Sequence, residues 1–113
     1  MSYDIFQTLQ DKVQELEKSV KALRKTGNEY AKANHTYKVA VSKTALMLKE
    51  SGMPVTLIDK VIYGHESVAE LRLKRDIAEV LYKANQEHIN ATKLQIRLLE
   101  AQIQREWSTP TSS

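Results

Sequence analysis

Between Glu66 and Trp107 the chain runs for about forty residues without a Gly or a Pro, and its apolar residues recur at helical spacing: Val68, Leu71, Ala78, Tyr82, Ile89, Ile96, Leu99 and Ile103. That period specifies one long amphipathic helix. At ~1.5 Å per residue such a helix is roughly 60 Å long, so it needs a partner of similar length to cover its apolar stripe. The residues before it supply one. Phe6, Leu9, Val13, Leu16, Val20 and Leu23 alternate steps of three and four, the heptad period that lets two helices wrap around each other. Carried forward, the register selects Gly27, Tyr30, Asn34, Tyr37, Val41, Thr44 and Leu48. The seam continues across Thr26-Gly27-Asn28, so a kink or plain continuation is expected there, although Gly costs ~1 kcal/mol against Ala inside a helix.

The two long segments are separated by punctuation. Ser51-Gly52 ends the first helix, with Gly52 in the left-handed position after the last turn, and Pro54 bars continuation while opening a short helix that Gly64 closes. A connector this short makes its neighbours antiparallel, placing side by side residues whose numbers sum to roughly 118. Leu48 then meets Val68 or Leu71, Leu23 meets Ile96, and Leu9 and Val13 meet Ile103 and Trp107. The expected architecture is all-α: a long antiparallel, coiled-coil-like helical hairpin with a short connecting helix, assembled into an oligomeric helical bundle. It forms a single domain over 1–107 (helix 3–51, short helix 54–63, helix 66–107), followed by a disordered tail over 108–113. On the second helix Glu70/Lys74, Arg72/Asp76, Arg75/Glu79, Glu79/Lys83 and Lys83/Glu87 stand at i,i+4 spacing and support an exposed helical face.

Composition bounds the function. Cysteine is absent, which removes disulfides and thiolate metal sites and fits a reducing compartment. No basic leader precedes an apolar run at the N-terminus, and no apolar segment approaches the ~18 residues of a membrane span. These features point to a cytoplasmic setting and to no membrane partner. The charge is unevenly placed. Residues 1–17 hold one base and four acids, 18–49 hold eight bases against Glu29 alone, and 50–113 hold eight bases and nine acids.

Four constellations invite a functional reading. In the middle of the hairpin, Tyr30, Asn34 and Tyr37 are expected to face Tyr82, Asn85 and His88. As a structural feature this polar layer would fix register and oligomeric state; as a functional one, flanked by Lys38 and Arg75, it would line a pocket for an anionic or aromatic small ligand. Lys18, Lys25 and Lys32 lie seven apart beside Lys21 and Arg24, a stripe that could follow nucleic-acid phosphates and is more commonly a solvated helix face. Leu46 to Val61 has a helix-turn-helix outline, yet its second helix would offer a DNA groove only Thr56, Asp59 and Lys60. The better use of that segment is an apolar partner-binding surface of Met53, Val55, Leu57, Ile58 and Ile62. Finally, His35, His65 and His88 lack metal-ligand spacing, and in His65-Glu66-Ser67 neighbouring residues in a turn cannot build a catalytic triad. No cofactor is implied, and enzymatic chemistry is not expected.

Val68-Ala69-Glu70-Leu71-Arg72, Arg75-Asp76-Ile77-Ala78-Glu79, Leu94-Gln95-Ile96-Arg97-Leu98-Leu99 and the run that follows to Trp107, together with Gly52-Met53-Pro54-Val55-Thr56, resemble small helical proteins encoded by phages and prophages of Gram-positive bacteria. The resemblance covers the second half of the chain. It implies an accessory protein acting inside the bacterial cell, associated with early gene regions for recombination and replication, and brings no active-site residues with it. The expected function is therefore a non-enzymatic accessory protein that binds and modulates a host or phage protein, such as a defence or replication factor. A nucleic-acid-binding accessory protein and a sponge for anionic small ligands are the alternatives.

Overall fold

In a computed structural model of the protein, residues 2–108 are described, with the side chains of Ser2 and Tyr3 excepted. The order of elements is α1 (Ser2–Glu50), α2 (Val55–Val61), a single 3-10 turn (Ile62–Gly64) and α3 (Glu66–Ser108). No strand occurs among the described residues. The fold is an all-α helical hairpin in which α1 and α3 pack against each other and α2 joins them. Gly27 lies inside α1 without interrupting it. Ser108, expected in the tail, instead closes α3, its hydroxyl donating to the Gln104 carbonyl at 2.7 Å; the rest of the expected tail, 109–113, lies outside the described residues.

The chain ends α1 by satisfying its terminal carbonyls. Gly52 takes φ +93°, its N–H donates to the Lys49 carbonyl at 3.0 Å, and the Met53 N–H donates to the Leu48 carbonyl at 3.1 Å. This paired arrangement requires a residue that tolerates the left-handed region, which glycine does without a Cβ penalty. Pro54 then precedes α2 with its fixed φ of −63°, and the N–H groups of Leu57 and Ile58 both donate to the Pro54 carbonyl at 3.0 Å.

Contacts divide the chain into two compact units, Met1–Arg24 with Ala84–Ser113 (unit 1) and Lys25–Lys83 (unit 2). Unit 2 is built on Tyr37, Ile58, Ile62 and the fully buried Val68, against which Val41, Ala45, Leu48, Met53 and Leu71 pack. In unit 1 the buried side chains are Ile89 and Thr92, with Leu9, Leu16, Leu23, Ile96, Leu99 and Ile103 half-buried.

The pairing differs from a simple fold about the connector. Tyr37 meets Arg75 rather than a residue near Leu81, and Tyr30 meets Glu79 and Tyr82 rather than His88. In unit 1 Phe6 meets Trp107, while Asn85 reaches the Ser19 carbonyl. The reason is the connector. Ile58 and Ile62 share one core with Val68, and Ala45 and Leu48 pack on that core. The last turns of α1 are thus used by α2 and the 3-10 turn as well as by α3, and each α1 side chain meets α3 at an earlier residue.

Candidate functional site

In unit 2 several aromatic and charged residues of the two long helices pair with one another. The Tyr30 hydroxyl donates to Glu79 Oε2 at 2.6 Å, and the Tyr30 and Tyr82 rings stack with centroids 5.9 Å apart. Tyr82 occupies the space beside Gly27, where a Cβ would stand 3.2 Å from its ring. The Arg75 guanidinium lies 4.5 Å over the buried Tyr37 ring and 2.8 Å from the Asp76 carboxylate. The hydrogen bond from Tyr30 holds the Glu79 carboxyl below its ordinary range, helped by Lys83, and the same bond raises the Tyr30 hydroxyl. Bonding to Asp76 raises the Arg75 guanidinium further.

Of the six residues expected in one central layer, Tyr30, Asn34, Tyr37 and Tyr82 thus belong to unit 2, and Asn85 and His88 to unit 1. Asn85 Nδ2 donates to the Ser19 carbonyl at 3.0 Å, and His88 Nε2 stands 3.1 Å from Glu15 Oε1. Each group has partners inside its own unit. Glu79 is the member that sequence reading missed. It falls beside the seam, where spacing alone suggests an exposed salt-bridge residue, whereas it serves Tyr30 and Lys83 together. Of the expected i,i+4 pairs, Glu79 and Lys83 meet at 3.4 Å, while Arg72 turns to the Tyr63 ring at 5.7 Å.

The connector surface in unit 2 is redistributed. Ile58 and Ile62 are buried and Met53 packs against them, so these three hold the hairpin closed and do not form its outer surface. Val55 and Leu57 are exposed, at 60% and 43%, and they are joined by Val61, Tyr63, Leu46 and Met47. The period of α2 accounts for Leu57, which falls off the line that carries Ile58 and Ile62 inward, whereas Val55 stands on that line, three residues before Ile58, and is exposed as the first residue of the helix.

Every side chain of the expected basic stripe is exposed: Lys18, Lys21 and Arg24 in unit 1, Lys25 and Lys32 in unit 2. Among the described residues none of the five is paired with a carboxylate. At the far end of unit 1, Phe6, Leu9, Ile103 and Trp107 line an open groove of about 530 Å³ with Glu100 and Gln104. Phe6 and Trp107 meet there edge to face with centroids 6.4 Å apart.

Comparison with protein-family models, curated proteins and solved structures gives no match in any of the three. Function therefore rests on the surfaces alone. No group of three or more His, Asp or Glu among the described residues could hold a metal ion. His65 Nδ1 comes within 3.1 Å of Ser67 Oγ in an exposed contact at the start of α3. No described helix is long and apolar enough to cross a membrane.

Proposed function

We propose that this protein is a non-enzymatic accessory protein of phage or prophage origin that self-associates and binds a host or phage protein, modulating it. The observation that carries the reading is the exposed apolar surface at the connector: Leu46, Met47, Val55, Leu57, Val61 and Tyr63 are all between 39% and 60% exposed in unit 2. Six large apolar side chains exposed within eighteen residues of one connector offer the kind of surface through which a folded protein meets a partner. The aromatic ring of Tyr63 beside Arg72 adds the residue types that anchor protein interfaces. Cytoplasmic action inside the bacterial host follows from the resemblance of the second half of the chain to phage proteins.

The test is affinity capture from host lysate with the wild-type chain and with Val55→Asp/Leu57→Asp, a variant at exposed positions that leaves the helical circular dichroism unchanged. One specific protein should be retained by the wild type and lost by the variant, and the activity of that protein should change when the chain is added. Equal retention by both removes the connector from the interaction.

Nucleic-acid binding is the second reading, favoured by the five exposed cations without carboxylate partners. It requires an affinity that falls with salt at a slope of ~0.9 per phosphate neutralised and that weakens in Lys18→Glu/Lys25→Glu. Absence of any mobility shift at low salt ends it. An anion sponge has less support, because Arg75 is already paired with Asp76 and Glu79 adds negative charge where an anion would sit.

A further inference from the structure

The residues of α3 that face α1 are buried or half-buried, yet α3 carries a second apolar series. Leu73, Ile77 and Val80 in unit 2, and Ala91, Leu94 and Leu98 in unit 1, follow the same steps of three and four as the covered seam. At 3.6 residues per turn the second series is centred about 150° around the helix from the first. Leu73, Ile77, Val80, Leu94 and Leu98 are 53–65% exposed, and in unit 2 a shallow groove of about 250 Å³ lies along Ile77, Val80, Leu81 and Asp76. A heptad-spaced seam is matched by another helix.

From this we infer that the face is covered by the same face of α3 in a second copy of the chain, running antiparallel. The inference rests on the self-association proposed above and gives it a surface. Two observations select the second copy. First, the series is self-complementary when reversed: Leu73 meets the partner's Leu98, Ile77 the partner's Leu94, and Val80 the partner's Ala91. Second, the reversal sets Asp76 beside the partner's Arg97, and it sets Glu87, the one charge on the series, beside the partner's Lys83. A parallel pairing would place Glu87 against itself.

The chain has no cysteine of its own, so engineered thiols report the geometry directly. Full-length wild type should sediment as a dimer, and Ile77→Lys/Leu94→Lys should sediment as a monomer with its helical signal retained. Leu73→Cys and Leu98→Cys, each oxidised alone, should stay uncrosslinked, and an equimolar mixture of the two should form a disulfide-linked dimer. A monomeric wild type at the highest soluble concentration overturns both the inference and the self-association beneath it. A wild-type dimer in which Leu73→Cys links to itself, or in which the mixture fails to link, overturns the pairing and leaves self-association standing.

Discussion

Replacing Gly27 by Ala tests how closely the two helices meet. In an exposed helix interior this substitution raises stability by about 1 kcal/mol, because Gly loses more backbone freedom on folding than Ala does. Here the added Cβ would stand 3.2 Å from Tyr82 Cε1, so the ring must shift by a few tenths of an ångström. Tyr82 is stacked on Tyr30, whose hydroxyl is tied to Glu79, and displacing it disturbs all three. Overpacking by one methyl in a fitted site costs about 1–3 kcal/mol. The net effect of Gly27→Ala in the wild type is a change between zero and a loss of about 2 kcal/mol. In a Tyr82→Ala background the obstruction is gone and the same substitution stabilises by about 1 kcal/mol. A double-mutant cycle from urea unfolding, followed by circular dichroism at fixed protein concentration, should therefore give a coupling of about 1–3 kcal/mol. If Gly27→Ala stabilises both backgrounds equally, the Tyr82 ring does not lie against Gly27 and the proposed packing is wrong.

Other outcomes follow from single side chains. Val68 is fully buried, so Val68→Ala should cost about 2 kcal/mol through lost burial and the cavity left behind, whereas Val55→Ala at the exposed connector should leave the unfolding midpoint unchanged. The Tyr30 to Glu79 bond has a defined pH window. Glu79 is lowered, so its contribution is present above the unfolded carboxylate value and is lost as pH falls through the lower folded value. Tyr30 is raised, so its contribution is present below the unfolded tyrosine value and is lost as pH rises through the folded one. The stability difference between wild type and Tyr30→Phe should accordingly shrink below about pH 4 and above about pH 10; a difference constant from pH 3 to pH 11 would show that the bond does not form.

Periodicity carried most of the fold. The α3 seam from Val68 through Leu71, Arg75, Ala78, Tyr82 and Asn85 to Ile103 is buried or half-buried at every position, and Gly52, Pro54 and Gly64 stand at the breaks expected of them. The pairing register was harder to read, because it depends on Ile58 and Ile62 taking up part of the apolar surface of α1, a tertiary fact with no local signature. That same burial removed Ile58 and Ile62 from the expected connector surface, although their spacing of four already placed them on one line. The second apolar series of α3 was legible in the spacing of Leu73, Ile77 and Val80. It was overlooked because a single seam accounted for the hairpin. In α1 the reverse holds, since Phe6, Val13 and Val20 belong to the heptad series yet remain 38–50% exposed.

The central structural claim is that α1 and α3 of one chain run side by side in opposite directions, with Tyr30 against Tyr82. Nuclear Overhauser spectroscopy on a mixture of isotope-labelled and unlabelled chains tests it most directly, because filtering separates contacts within a chain from contacts between copies. Cross-peaks from the Tyr30 ring to the Tyr82 ring, and from Phe6 to Trp107, should arise within one chain. Their appearance only between labelled and unlabelled chains, or a Tyr30 ring that reports His88 in place of Tyr82, would contradict the hairpin as described.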